Sequence, residues 1–493
     1  MDIKFGLIIV AIGYCIVYFF DSFFKSCAHY PYLRFLEGTG LKVKFFNIQW
    51  STTALNRTLL RFGNIRSNSN FLHIWFSIGL IANLVLLPIA VALLIYSFIQ
   101  NFLPSQENLV LSPVIPGINL PASEILFYSA TLVICSVVHE FGHALAAVKE
   151  DVQVLNLGLS IIFILPIAYV NLNTENLRGL EPWKRLKILT GGVWHNLVLS
   201  FVCYLLYLSL PVFLSLIFHI GRGVTIYDAT KMSPLIGHRG LEIGDIITKI
   251  NDCEVRSATS WTNCLHYVKR KNGICFDPDI VRDLDETSTL KHLTNGYVEC
   301  CDESKRGNVC FEFIDNDNGI LELPSHVCLP ARKMLNKSDY YCSKKELKCP
   351  NNLHCFVPLL NRTRLFKLEV MNKPVVIYMG LADDFLITLR VSSYIPKYFL
   401  RTPLVAETAK KMLEYIVIIS LGLGLINIIP CFFMDGQHII NTLLYIILSK
   451  SVDGEKVILI SSMICLVFTV LLIAHCVLAM FPLYFEIFVH LIV

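Results

Sequence analysis

The residues best suited to chemistry are His139-Glu140-Phe141-Gly142-His143, inside a long apolar run. Two histidines four apart share one helical face and can reach one metal ion together. Glu140 stands one step round that helix, close enough to take a proton from a metal-bound water. This is the HExxH arrangement of zinc hydrolases. Its setting strengthens the reading, because ionisable side chains within an apolar helix are costly unless they face partners. Two histidines merely hydrogen-bonded within a helix bundle are the plain alternative.

Zinc in hydrolases usually has three protein ligands and one open position. The best third candidate is Asp435, in Asn427-Ile428-Ile429-Pro430-Cys431-Phe432-Phe433-Met434-Asp435-Gly436. It reads as an acid at the end of an apolar helix. Asp-Gly is also a common turn, and His438 is a competing ligand. A further cluster is Gly191-Gly192-Val193-Trp194-His195-Asn196. Its small residues allow close helix packing in a membrane. Asn196 is a costly polar group there. It serves either as a structural hydrogen bond or as a donor that orients substrate or stabilises an oxyanion. Trp194 and His195 suit a membrane interface.

The elements that must position these residues are apolar. The chain of 493 residues is 54% hydrophobic and only 16% charged, where soluble domains carry about a quarter charged residues. That excludes disorder and disfavours a soluble enzyme. A net charge of +4, with no basic-aromatic run, gives no reason to expect nucleic acid as a partner. The bounded answer is a polytopic α-helical membrane protein with the lipid bilayer as its solvent.

Apolar runs at residues 3–24, 71–103, 122–149, 188–220, 415–433 and 457–493 give about six membrane elements. The first reads as an uncleaved signal anchor. Residues 71–103 contain Pro88 and read as one long helix or a hairpin. The proline-rich 104–121 reads as a loop. Residues 152–170 are short for a span and rich in Val, Ile, Leu and Gly, so a membrane-embedded β-hairpin or a re-entrant segment is expected.

Polar sequence fills 221–401. Its strand-like segments at 223–270 and 366–391 resemble a PDZ module interrupted by a cysteine-rich insert at about 271–360. Ten of the 17 cysteines lie between Cys253 and Cys355, which suggests a disulfide framework and an oxidising compartment. Sequons at Asn336 and Asn361 agree, so this region is expected to be lumenal. The basic residues before the 188–220 run then lie in the cytosol. The same logic sets His139, His143 and Asp435 near the cytosolic side. Residues 25–70 are ambiguous: their basic excess favours cytosol, while a sequon at Asn56 permits lumen. The expected organisation is 1–120, a catalytic membrane core in 121–220 and 402–450, the lumenal 221–401, and a last helix in 451–493.

HEFGH, GGVWHN and NIIPCFFMDGQH, in this order around a PDZ-like and cysteine-rich insert, resemble the site-2 protease family of intramembrane metalloproteases. HExxH alone is shared with many zinc hydrolases. Its pairing with NxxPxxxxDG is the specific part. The resemblance implies Zn2+ held by His139, His143 and Asp435, with Glu140 as general base and a catalytic role for Asn196. It also implies a Golgi enzyme acting after a first lumenal cut. Its substrates would be membrane-anchored transcription factor precursors like the sterol regulatory element-binding protein or a membrane-tethered stress factor. A non-catalytic scaffold with a degenerate metal site and a metal transporter are the other classes. The intact Glu140 argues against the first, and the bareness of most spans against the second.

Overall fold

The computed structural model describes residues 3–492 except 65–68, 104–120, 238–239, 272, 289, 293–297, 303–306, 315–322, 344–348, 351, 361–362 and 398–401. The expected loop at 104–121 and the Asn361 sequon therefore lie almost wholly outside the described residues. The chain forms two compact units, residues 1–208 with 411–493, and residues 209–410.

The first unit is mainly helical. Its helices are α1 (Ile3–Ser26), α2 (Tyr30–Thr39), α3 (Asn56–Asn64), α4 (Ser69–Gln100), α5 (Ile125–Lys149), α6 (Thr174–Gly179), α7 (Pro182–Leu214), α8 (Leu404–Ile428), α9 (Asp435–Leu448) and α10 (Gly454–Ile492). Six of them, α1, α4, α5, α7, α8 and α10, are long and apolar enough to cross a membrane. Residues 71–103 are one helix rather than a hairpin, with Pro88 inside it. Such a proline is tolerated where neighbouring helices satisfy the freed backbone groups.

Several boundaries differ from the apolar runs. α7 begins six residues before Ile188, because Pro182 takes the first helical position, where its missing N–H costs nothing. α8 begins at Leu404 and stops at Ile428, two residues before Pro430. Asp435 therefore does not end an apolar helix; it is the first residue of the next one, α9.

Residues 152–170 do form a hairpin, β3 (Val154–Ile162) with β4 (Leu165–Leu172). The polar segment 25–70, which the sequence left without structure, supplies two further strands, β1 (Leu41–Lys44) and β2 (Asn47–Thr52). The four make one antiparallel sheet in the order β1-β2-β3-β4. Trp50 of β2 pairs with Leu159 of β3. Gly158 sits where a Cβ would fall 2.1 Å from the Trp50 carbonyl oxygen, so only glycine fits. The outer edge of β4 lies against α5: the Ala168 N–H donates to Ser136 Oγ at 3.1 Å and the Val170 N–H to Glu140 Oε2 at 3.0 Å.

The second unit is mainly β. Strands β5 (Val224–Ala229), β6 (Ile246–Ile250) and β7 (Cys253–Glu254) precede the cysteine-rich stretch, and β13 (Arg364–Val370), β14 (Val376–Gly380) and β15 (Leu389–Ser392) follow it. They form one sheet in the order β14-β13-β6-β5-β15, with β7 on β6. Its core joins Val224, Ile247 and Trp261 to Phe366 and Phe385, residues from both flanks. The stretch between folds a second sheet from β8 (Gly273–Phe276), β9 (Asn308–Ile314), β10 (His326–Pro330), β11 (Tyr341–Cys342) and β12 (His354–Pro358), in the order β10-β9-β12-β8-β11. It has its own core around Phe311, Val327 and Phe356. All ten cysteines from Cys253 to Cys355 are paired, as 253–264, 275–349, 300–310, 301–328 and 342–355. The seven cysteines elsewhere are free.

Candidate metal centre

α5 and α7 meet through glycines. A Cβ on Gly142 would fall 2.4 Å from the Gly191 carbonyl oxygen, and one on Gly191 would fall 2.8 Å from the Gly142 carbonyl oxygen. The absent side chains let the two backbones touch. This contact brings the GGVWHN segment of α7 beside the HEFGH segment of α5.

Into that contact α9 delivers Asp435, 296 residues away from His139 in sequence. Asp435 Oδ2 lies 2.9 Å from His139 Nε2 and 3.1 Å from His143 Nε2. The two Nε2 atoms are 3.2 Å apart. Both histidines are buried. Three atoms that all carry lone pairs thus converge on one point.

The spacing fits a metal. Ligands around tetrahedral zinc, with bonds of about 2.0–2.1 Å, stand roughly 3.3 Å from one another. Gly192 keeps that space open, since a Cβ there would fall 2.3 Å from His143 Nε2 and 2.7 Å from His139 Nε2. The far nitrogens are also held: His143 Nδ1 lies 2.8 Å from the Ile188 carbonyl oxygen, and His139 Nδ1 lies 3.2 Å from the Asn196 carboxamide. Such outer contacts fix the ring orientation and tautomer that a metal-binding histidine needs. With these three as ligands, a metal here would keep a fourth position for water or substrate, the pattern of a catalytic rather than a structural site. Glu140, on the same helix, turns its carboxylate to the β4 edge at Val170.

The sequence-selected residues divide clearly. His139, His143 and Asp435 come together, with Asn196 behind them. His438 is not in the cluster; it lines a separate cavity. His195 bonds the Gly191 carbonyl through Nδ1 at 2.8 Å, and its ring packs near Trp75 and Phe76 of α4. Trp194 packs on Trp75 and over Gly79. Both are helix-packing residues of α7 against α4. Asn427, in the same sequence motif as Asp435, also reaches the cluster: its Nδ2 lies 3.4 Å from His139 Nε2. Its place eight residues before Asp435, across the Pro430 break, was the available signal. Cys275, Cys342 and Cys349 also cluster, but disulfides consume their thiols.

The model of peptidase family M50 matches residues 127–472. That stretch runs from α5 into α10 and contains every residue of the cluster. Among curated proteins, the membrane-bound transcription factor site-2 protease homolog of Arabidopsis thaliana is 31% identical over 221 residues, 44% of this chain and 42% of that relative. The match thus spans about two fifths of the relative's length. With the family match covering more than half of its residues, the chain belongs to peptidase family M50.

Proposed function

We propose that the chain is a zinc-dependent intramembrane endopeptidase. It cleaves a transmembrane helix of a previously trimmed, membrane-tethered transcription factor and frees the cytosolic part. The observation that carries this reading is the convergence of His139, His143 and Asp435 on one point among membrane-length helices, with Glu140 on the same helix. The name of the plant relative supports the substrate class, as does the sequence resemblance for substrates like the sterol regulatory element-binding protein.

Bound zinc would supply a Lewis acid that makes hydroxide available near neutral pH. The residues of this chain do the rest. Glu140 takes the water's proton and passes it to the leaving amine. Asn427, whose amide lies 3.4 Å from the cluster-facing Nε2 of His139, is a candidate to orient a substrate carbonyl. A substrate helix must unwind first, because its amides are bonded within the helix. The freed backbone could add to the sheet. β3 is flanked by β2 and β4, so pairing falls to the β4 edge, where it exchanges the bonds now made by Ser136 and Glu140.

The second unit is read as lumenal. Its five disulfides call for an oxidising compartment. Its PDZ-like sheet and insert would filter substrates by size, admitting those already trimmed. The resemblance sets the enzyme in the Golgi, and the sidedness of the disulfides and basic residues sets its active site near the cytosolic side.

The test compares purified wild type with Glu140→Gln on a lumenally trimmed single-span substrate. Cleavage lost in the variant at equal zinc content, and lost in wild type on chelation but restored by Zn2+, is the expected result. Cleavage by both proteins would overturn the assignment of Glu140. Cleavage by neither would favour a non-catalytic scaffold.

A further inference from the structure

A second feature of the helical unit goes unused by proteolysis. An open cavity of about 740 Å³ is bounded by α6, the start of α7, one face of α9 and the start of α10. That volume is in the range of small-molecule sites. Five residues of α9 line it, Gln437 and Thr442 together with His438, Asn441 and Tyr445. The last three stand at i, i+3 and i+7, one stripe of a helix. The other side of α9 sends Ile439, Leu443 and Ile446 into the apolar core. α9 thus turns a polar stripe to a cavity although its neighbours are membrane-length apolar helices.

The charge at this cavity has one sign. Arg178 and Arg185 line it, and among the described residues no carboxylate does. Arg185 is tied down, donating to the carbonyls of Leu177, Arg178 and Leu180, which fixes α6 against α7. The Arg178 guanidinium, the His438 ring, the Asn441 amide and the Tyr445 hydroxyl make no hydrogen bond or ion pair among the described residues. Four unused polar groups beside a fixed cation are suited to an anion with several acceptor oxygens.

The depth of the cavity indicates which anion. α7 has 33 residues, so it rises about 50 Å and outreaches a hydrocarbon core of about 30 Å. Lys184, Arg185 and Lys187 crowd its first two turns, which sets that end among lipid headgroups. Beside Thr174, Gln437 and Thr442, the lining has an apolar part in Leu177, Leu189, Val457 and Ile458. The cavity therefore offers donors and an apolar flank together, at headgroup level.

We propose that this cavity binds the phosphate headgroup of an anionic phospholipid. Arg178 and Arg185 face the phosphate, His438, Asn441 and Tyr445 meet its oxygens, and Val457 and Ile458 lie along the acyl chain. The site is independent of the protease assignment, although Asp435 begins the helix that forms its wall.

The test is calorimetric titration of the full chain in detergent with dihexanoyl phosphatidic acid, dihexanoyl phosphatidylcholine and inorganic phosphate. Wild type and the double variant Arg178→Gln/His438→Gln are compared. Both side chains lack protein partners, so the variant should fold; equal circular dichroism and zinc content check this. Saturable binding of phosphatidic acid, weakened at least about tenfold in the variant, is the expected result. Equal binding of phosphatidylcholine, or no effect of the variant, would overturn the proposal. Inorganic phosphate binding as tightly as phosphatidic acid would move the site from lipid to a soluble phosphate and overturn the lipid assignment.

Discussion

The carboxamide of Asn196, fully buried on α7, lies 3.2 Å from Nδ1 of His139, on the side of the ring opposite Asp435. An imidazole that gives Nε2 to a metal carries its proton on Nδ1. Nδ2 is the amide atom facing Nδ1; with the carboxamide turned over, Oδ1, buried and otherwise without a partner, accepts that proton. Of the two roles open to Asn196, a structural hydrogen bond or a donor to substrate, this contact favours the first. Asn196→Ala should lower zinc affinity about ten- to a hundredfold, measured as zinc retained against a competing chelator. Unchanged affinity with lost turnover would return Asn196 to the substrate side.

Gly192 and Gly191 are neighbours with different duties. A Cβ at Gly192 would enter the space between the His139 and His143 ring nitrogens, whereas one at Gly191 would meet the Gly142 carbonyl and Ala146. Gly192→Ala is expected to abolish zinc binding and cleavage with little loss of helix content. Gly191→Ala is expected to force α5 from α7 and lower thermal stability, an overpacking cost of about 1–3 kcal/mol. Metal analysis beside thermal unfolding of both variants separates the two.

Asn56 starts a sequon, yet its Nδ2 donates to the Val154 and Leu155 carbonyls, both at 3.0 Å. A glycan on that nitrogen would break the tie between α3 and β3. Asn56→Gln should therefore leave the glycosidase-sensitive gel mobility unchanged. Asn56→Ala should destabilise the helical unit by about 1–3 kcal/mol, since two carbonyls lose their donor. Asn336, exposed in its helix, is the sequon expected to give a shift. A shift lost on Asn56→Gln would place this segment in the lumen.

The disulfides should differ in weight. Cys275–Cys349 closes a separation of 74 residues and Cys300–Cys310 one of 10. On loop-closure entropy the first contributes about 4 kcal/mol and the second about 3 kcal/mol. Replacing Cys275 and Cys349 by serine should lower the midpoint of denaturant unfolding more than replacing Cys300 and Cys310. Equal midpoints would mean that native-state contacts, not chain entropy, set the difference.

Much of this protein was determined by sequence that is local. Six apolar runs of spanning length correspond to six membrane-length helices, because helix formation and membrane burial depend on neighbours a few residues apart. HEFGH declared its chemistry for the same reason, since a spacing of four on a helix already fixes a shared face. A hairpin within 152–170 and a disulfide framework between Cys253 and Cys355 were legible in composition, but which cysteine meets which was not. What only the tertiary structure decided involves partners far apart in the chain. Asp435 opens α9 rather than closing α8, because Pro430 breaks the helix before it. β1 and β2 came from a segment too polar to read as membrane core; they pair with each other, and β2 joins them to the edge of β3. Asn196 met His139, and Asn56 met β3, through backbones brought close by glycines and by sheet register. A side chain's type limits the bonds it can make, but long-range packing chooses which of them it does make.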